Sequence, residues 1–282
     1  MYISAINIFP IKSLKGISVR QAVIEDRGLA YDRRWMLINR ENNFLSQRTY
    51  PRMATIGVGI TRDVLEVSER SAGKLAIPFE PPRPRVVHAT IWRNRSRTLV
   101  YGDDVNEWFS HVLGGDVRLV RMPETTERRV NRYYKVHPQD VVSLADGYPF
   151  MLLGESSLAD LNSRLETPLP MDRFRPNFVV TGSGPFEEDA WKKINIGGNV
   201  FHVVKPCARC KITMVDQQTG ERGQEPLPTL ASYRTQRIGT KQGAMFGQNL
   251  IAEKAGGVVS VGDTVQVLDV KSLTRQGAAT AR

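Results

Sequence analysis

The sequence predicts an α+β fold, predominantly β, and three observations carry that prediction. Short runs of β-branched and aromatic residues recur between Gly, Pro, Asn and Asp. Few segments have helical periodicity. Strands and helices do not alternate as βαβ units, which argues for a barrel-like sheet and against a doubly wound one.

Taken in order, Tyr2–Phe9, Val19–Ile24, Trp35–Ile38, Thr55–Ile60 and Val64–Val67 read as strands. Arg83, Arg85, Arg93, Arg95 and Arg97 surround Trp92 on an expected hairpin. In Asp104–Leu113, Val105, Trp108, Phe109 and Val112 fall on one helical face, and Gly114-Gly115 ends the helix. A second helix is expected from Ser157, where Ser157-Leu-Ala-Asp160 fits a capping box. Leu158, Leu161 and Leu165 line its face, and Thr167-Pro168 stops it. Phe178–Thr181, Lys192–Ile196, Val200–Val204, Lys211–Val215 and Thr264–Leu268 read as strands, and Leu230–Thr235 as a short helix. Two domains are expected, 1–122 and 123–270, with the seam at Met122-Pro123 before the charged stretch Glu124–Lys135. Residues 271–282 read as a disordered tail.

Composition sets bounds. The 282 residues are 41% apolar and 24% charged, an ordinary globular balance. No run of roughly 18 apolar residues exists to span a membrane. The N-terminus has no positive segment or cleavage site, so the expected location is cytoplasmic. Two cysteines, Cys207 and Cys210, sit close together and do not suit a disulfide-stapled secreted fold. The net charge of +10 favours anionic partners. Nucleic acid is one such partner, and the Arg-flanked Trp92 would suit a single strand. Edge strands also carry Arg simply to resist aggregation, and that reading is preferred.

Several chemistries lack their motif. No Gly-x-Gly-x-x-Gly follows a strand, and no phosphate-cradling Walker loop occurs. Gly154-Glu-Ser156-Ser-Leu158 lacks the second glycine of a nucleophile elbow. The four histidines form no close pair on a helix face.

The informative segment is Lys205-Pro-Cys207-Ala-Arg209-Cys210-Lys211. A thiolate is a soft metal ligand, and the cations Lys205, Arg209 and Lys211 favour its charged form. Three alternatives stand beside that reading. Both cysteines could be small buried residues at a strand end. A redox pair would need the first cysteine at a helix start, whereas Lys211–Val215 reads as strand. A zinc site could use Cys207, Cys210 and His202 but lacks a fourth ligand.

Ordered matches over Tyr2 to Val270 decide further. They are Phe9-Pro-Ile-Lys12-Ser13-Leu-Lys-Gly16, Tyr31-Asp-Arg33-Arg-Trp35, Leu45-Ser-Gln-Arg48-Thr-Tyr-Pro51 and Pro149-Phe150. They continue through Leu158-Ala-Asp-Leu-Asn-Ser-Arg-Leu165, Phe174-Arg175-Pro-Asn177, Cys207-Ala-Arg-Cys210, Glu225-Pro-Leu227 and Phe246-Gly-Gln248. With these, the chain resembles the MOSC family, and within it the amidoxime-reducing components and their bacterial two-domain relatives. The resemblance implies a MOSC-type β-barrel domain with a smaller β-rich N-terminal domain. It implies molybdenum cofactor, a phosphate-bearing pterin, with Cys207 and not Cys210 as metal ligand. Lys12, Ser13, Arg33, Arg48, Arg175 and Asn177 are the implied cofactor contacts. Asp146 falls in the cofactor-facing loop, where this chain has Leu144-Ala-Asp-Gly147 and relatives can carry more hydroxyls. The donor chemistry agrees: planar guanidinium groups, an ammonium and a hydroxyl suit phosphate oxygens.

The implied activity is reduction of N-hydroxylated compounds: amidoximes, hydroxylamines and N-hydroxylated bases. No further cysteines exist for an iron–sulfur cluster. Electrons are therefore expected from a separate protein, such as a flavoprotein reductase, ferredoxin or cytochrome b5-like carrier. Glu127–Lys135 is a candidate docking surface for an acidic carrier, and a solvated basic loop is the equal alternative. The rival reading is a non-catalytic carrier of molybdenum cofactor or sulfur.

Overall fold

The computed structural model describes residues 1–238 and 241–271. Its first half contains β1 (Tyr2–Ile8), β2 (Ile17–Val19), β3 (Gln21–Glu25), β4 (Gly28–Leu29), β5 (Trp35–Ile38), β6 (Gly57–Thr61), β7 (Val64–Glu69), β8 (Gly73–Pro78), β9 (Arg85–Ile91), β10 (Asn94–Val100), α1 (Asp103–Leu113) and β11 (Arg118–Arg121). There follow β12 (Phe150–Gly154), α2 (Glu155–Asn162), β13 (Phe178–Thr181), β14 (Trp191–Ile196), β15 (Asn199–Ala208), α3 (Leu227–Arg234), β16 (Thr235–Ile238), β17 (Lys241–Ala252), β18 (Val258–Ser260) and β19 (Val265–Val270). The protein is mostly β, as expected. No helix among the described residues is long and apolar enough to cross a membrane.

One large sheet organises the molecule, in the order β19-β14-β15-β17-β12-β13-β1-β2, with β16 also paired to β17. Its core joins Ile3, Ile6 and Ile8 from β1 to Phe150, Phe178, Ile194 and Phe201 from the second half. Phe150, Phe178 and Phe201 meet at ring separations of 5.3–5.8 Å. A second core, under α1 and the sheets β5-β11-β10-β9 and β6-β7-β8, holds Trp35, Leu37, Leu65, Val67 and Phe109. The helical face of α1 is inside as expected: Val105, Phe109 and Val112 are buried.

β12 and β13 run parallel, which α2 permits by carrying the chain across between them. Gly247 explains the Phe246-Gly-Gln248 segment. At φ 81 it lies so close to β12 that an added Cβ would stand 2.8 Å from the Leu152 carbonyl oxygen.

Four local expectations are corrected. α2 starts at Glu155 behind Gly154, so Ser157 lies inside it and caps nothing. The Ser157 hydroxyl instead donates to buried Glu188, 2.8 Å from Oε1, and accepts the Phe186 N–H at 2.8 Å. Asp160 pairs with Arg164 at 2.9 Å, four residues on. Lys211–Met214 is a 3₁₀ turn and not a strand. There the Thr213 hydroxyl and N–H both bond the Cys210 carbonyl at 3.0 Å, a local bond that competes with sheet pairing. α3 begins three residues earlier than expected. Lys271, the first residue of the expected tail, is tied by its N–H to the Ala190 carbonyl at 2.7 Å. The rest of that tail, 272–282, lies outside the described residues.

Candidate active site

Cys207 is aimed by an irregular strand. β15 pairs with β17, and the register shifts twice, between Val203 and Lys205 and between Pro206 and Ala208. Bulges of this kind tilt side chains out of the regular alternation. Pro206 is tolerated there because a broken ladder asks no N–H of it. Asn249 on β17 holds the bulge by donating to the Lys205 carbonyl at 3.1 Å and the Pro206 carbonyl at 3.4 Å. Of the three flanking cations, Arg209 reaches the sulfur: Nη1 donates to Cys207 Sγ at 3.0 Å. Its Nη2 anchors on the Phe174 carbonyl at 2.6 Å. Lys205 lies over the Tyr134 ring at 4.8 Å, and Lys211 is exposed.

The chain then folds cations around the sulfur from both halves of the sequence. Arg33 is fixed by a two-oxygen pair with fully buried Asp32, at 2.7 and 3.0 Å. It also donates to Asn177 Oδ1 at 3.3 Å. Asn177 takes the Met151 N–H and donates to the Asn7 carbonyl, so its amide orients Arg33 and ties β13 to β1. The Arg33 and Arg175 guanidinium groups lie 4.3 and 4.2 Å from the Phe9 ring centre. Arg175 Nη1 donates to Gln217 Oε1 at 3.3 Å. Gln217 in turn exchanges hydrogen bonds with buried Gln47, whose Nε2 also holds the Ser13 carbonyl at 2.9 Å. Ser13, Arg33 and Arg175 all have φ between 50 and 67. Such left-handed residues cluster at functional sites because surrounding structure must over-determine them.

A salt bridge crosses the mouth. Lys12 Nζ meets Asp146 Oδ1 at 2.5 Å, with Lys12 buried and Asp146 half exposed. Desolvation lowers the Lys12 ammonium to about 8, although Asp146 opposes the shift. Burial alone would raise the Asp146 carboxyl, but Lys12, Arg48 and the Trp92 N–H outweigh it and hold it below the carboxylate range. Burial lowers Arg175 to about 9, with Arg33 adding to the effect. Arg128, counted with the docking segment in the sequence, points inward. It donates to the Ser143, Ala145 and Asp146 carbonyls at 2.5–2.9 Å and so braces the Asp146 loop.

A cavity of about 150 Å³ results. Seven of the eight expected site residues line it: Lys12, Ser13, Arg33, Asp146, Arg175, Asn177 and Cys207. The eighth, Arg48, stands at its edge and donates to Cys210 Sγ at 3.3 Å, so Cys210 belongs to the same cleft. A larger cavity of about 560 Å³ shares Arg175 but contains no cysteine. The smaller one is the candidate because the thiols and convergent donors are there. His202 meets Glu253 instead of the cysteines, and no group of three or more His, Cys, Asp and Glu able to hold a metal occurs among the described residues. The thiols of the cleft are Cys207 and Cys210, so a metal here would bring further ligands with it. Sequence reasoning missed Trp92, Arg128 and the Gln47–Gln217 pair, and named Arg209 only as a tuning charge.

The fold and cleft define a β-rich protein in which two halves of the chain enclose a thiol with guanidinium groups. Family models place it further: the MOSC N-terminal beta barrel domain matches residues 1–116, and the MOSC domain matches residues 139–266. The chain belongs to the MOSC family. It is 36% identical to the mouse (Mus musculus) protein named mitochondrial amidoxime-reducing component 1, over 93% of this chain and 80% of that one. The human (Homo sapiens) counterpart is 34% identical over 93% and 81%. A molybdenum cofactor sulfurase of rice (Oryza sativa subsp. japonica) is 31% identical, over 84% of this chain but only 31% of its own length.

Proposed function

We propose that this protein is a molybdenum-cofactor-dependent oxidoreductase that reduces N-hydroxylated compounds, with Cys207 as the protein's ligand to the metal. The observation that carries the reading is the Arg209–Cys207 contact inside a cleft of buried guanidinium groups. The residues fit the cofactor: Arg48 Nη2 and Arg175 Nη2 are buried without a partner, donors suited to an anionic group. Relatives named for amidoxime reduction support the same reading.

The cofactor, when bound, supplies the two-electron redox chemistry. The chain's part is to hold it. Cys207 offers one soft ligand, and Arg209 donates to that sulfur and tunes it. Lys12, Ser13, Arg33, Arg48 and Arg175 bind the phosphate end, with Asp32 and Asn177 orienting Arg33. Asp146 balances charge at Lys12. Electrons come from a separate carrier protein. With Arg128 turned inward, exposed Arg129, Arg132 and Lys135 are the cations left in the proposed docking segment, and Arg129 is paired with Glu127. Two free cysteines suit a reducing compartment such as the cytoplasm.

The test is metal analysis and pterin extraction on wild type and Cys207→Ala, produced with cofactor supply. Wild type should carry close to one molybdenum per chain, and the variant about tenfold less or lower. Chemically reduced wild type should convert an amidoxime to its amidine. Wild type without molybdenum would sink the reading. The likeness to a cofactor sulfurase keeps a second reading, that of a cofactor or sulfur carrier. Loaded protein that reduces no N-hydroxylated compound would favour it.

A further inference from the structure

Trp92 sits at the tip of the β9–β10 hairpin, where Ile91 pairs with Asn94 and only two residues make the turn. It holds the first of the two central positions with φ 57. Hairpin turns that need a positive φ there favour glycine or asparagine, and a bulky residue is an outlier. It is also 51% exposed, so burial of the ring does not account for its place.

Its contacts do. The indole N–H donates to Asp146 Oδ1 at 3.3 Å, the same oxygen that receives Lys12. The Arg48 guanidinium lies over the ring at 4.3 Å, and that guanidinium donates to Cys210 Sγ. Phe44 meets the ring edge-on at 5.1 Å and backs both Arg48 and Lys12. One indole therefore joins an anion and a cation, Asp146 from the second half of the chain and Arg48 from the first. Trp92 shares its unusual backbone conformation with Ser13, Arg33 and Arg175 of the same site.

We propose that Trp92 is a positioning residue of the cofactor site, holding Asp146 and Arg48 so that Lys12 and Arg48 are set for the cofactor's anionic end. The proposal rests on the molybdenum-cofactor reading above. It also gives the Arg-flanked hairpin a role inside the molecule: its tip docks on the site.

Two substitutions separate the two contacts. Trp92→Phe keeps a ring beneath Arg48 but has no N–H for Asp146; Trp92→Ala has neither. Each is made alone and in an Asp146→Ala background, and the holo-protein is dialysed while bound molybdenum and pterin are followed. Trp92→Phe should release cofactor about threefold to tenfold faster than wild type, the effect of one hydrogen bond of ordinary net strength, as suits a contact of 3.3 Å. Trp92→Ala should release it faster still. In the Asp146→Ala background, Trp92→Phe should add nothing, because the N–H has lost its acceptor. A general folding defect would instead give equal losses in both backgrounds, and that result overturns the proposal. So does wild-type retention in both Trp92 variants. If Trp92→Ala does not fold, Trp92→Phe still carries the test. Wild type that never loads molybdenum overturns the functional reading along with the proposal. Loaded wild type with indifferent variants overturns the proposal alone.

Discussion

Lys12 is the residue whose charge the cleft controls most directly. Buried beside Asp146, its ammonium titrates at about 8 instead of 10.5. Below about 8 it is charged and available to an anion; above that it is lost. Sulfate binding to cofactor-free protein should therefore weaken about tenfold per pH unit above 8. Sulfate keeps its own charge over this range, so the change reports on the protein. Stability runs the other way. A lowered lysine penalises the folded state fully below pH 8, and the penalty is relieved between about 8 and 10.5, where the unfolded chain holds the extra proton. Lys12→Met should remove the onset near pH 8 of both dependences and leave the later one of Arg175, which burial lowers to about 9, as measured by calorimetric titration and by Tm against pH. Sulfate affinity that is flat from pH 7 to 10 in wild type would refute the assignment. Lys12 was legible as a candidate because lysine, serine and three arginines are phosphate-binding types in a matched order. Trp92 and Arg128 were legible only as a surface aromatic and a surface cation. Their partners, Asp146 and the carbonyls of 143–146, lie far off in sequence, and no local pattern announces a pairing over that separation.

Elements were readable where propensity and burial agree. β1, β5 and β13 are β-branched or aromatic runs with most or all of their apolar residues buried, and β7 and β14 alternate buried apolar with more exposed residues. β17 is the opposite case. Its segment carries two glycines and three side-chain amides, yet it pairs with β12, β15 and β16 because the sheet closes around it. The Ser157 error has the same origin: a hydroxyl near a helix start reads as a cap until a buried carboxylate claims it. Glu188 is fully buried, and desolvation raises its carboxyl even though Ser157 and the Gly154 N–H oppose the rise. Ser157→Ala removes one donor from Glu188 and the acceptor of the Phe186 N–H. It should cost about 1–3 kcal/mol in urea unfolding, because buried polar groups lose partners without gaining water. Loss at the low end or below would mean that a water replaces the hydroxyl. A change in molybdenum content without a stability change would mean that α2 acts on the site and not on the fold.

At the scale of the whole molecule, the two halves of the chain are interleaved through the main sheet. β1 pairs with β13, and β3 pairs with β18, placing Ala22 opposite Val259. The cleft repeats the arrangement, taking Lys12, Ser13, Arg33 and Arg48 from the first half and Asp146, Arg175, Asn177 and Cys207 from the second. The proposed boundary at residue 122 therefore separates stretches of sequence that share a core. Residues 123–270 produced alone would expose the surface that Ile3, Ile6 and Ile8 cover, each at most 5% exposed in the intact chain. Three buried isoleucines contribute about 5–9 kcal/mol, as much as the net stability of many domains. The fragment should lack cooperative unfolding in urea and bind no molybdenum, having the thiol but none of the first-half cations. Adding residues 1–122 as a separate chain should restore both properties in a one-to-one complex, because β1 can re-enter the sheet without a covalent link. Cooperative folding of 123–270 alone, at a stability near that of the whole chain, would show that β1 decorates the sheet and does not complete it. Cooperative folding of the fragment with molybdenum bound would go further and remove the first-half cations from the cofactor site.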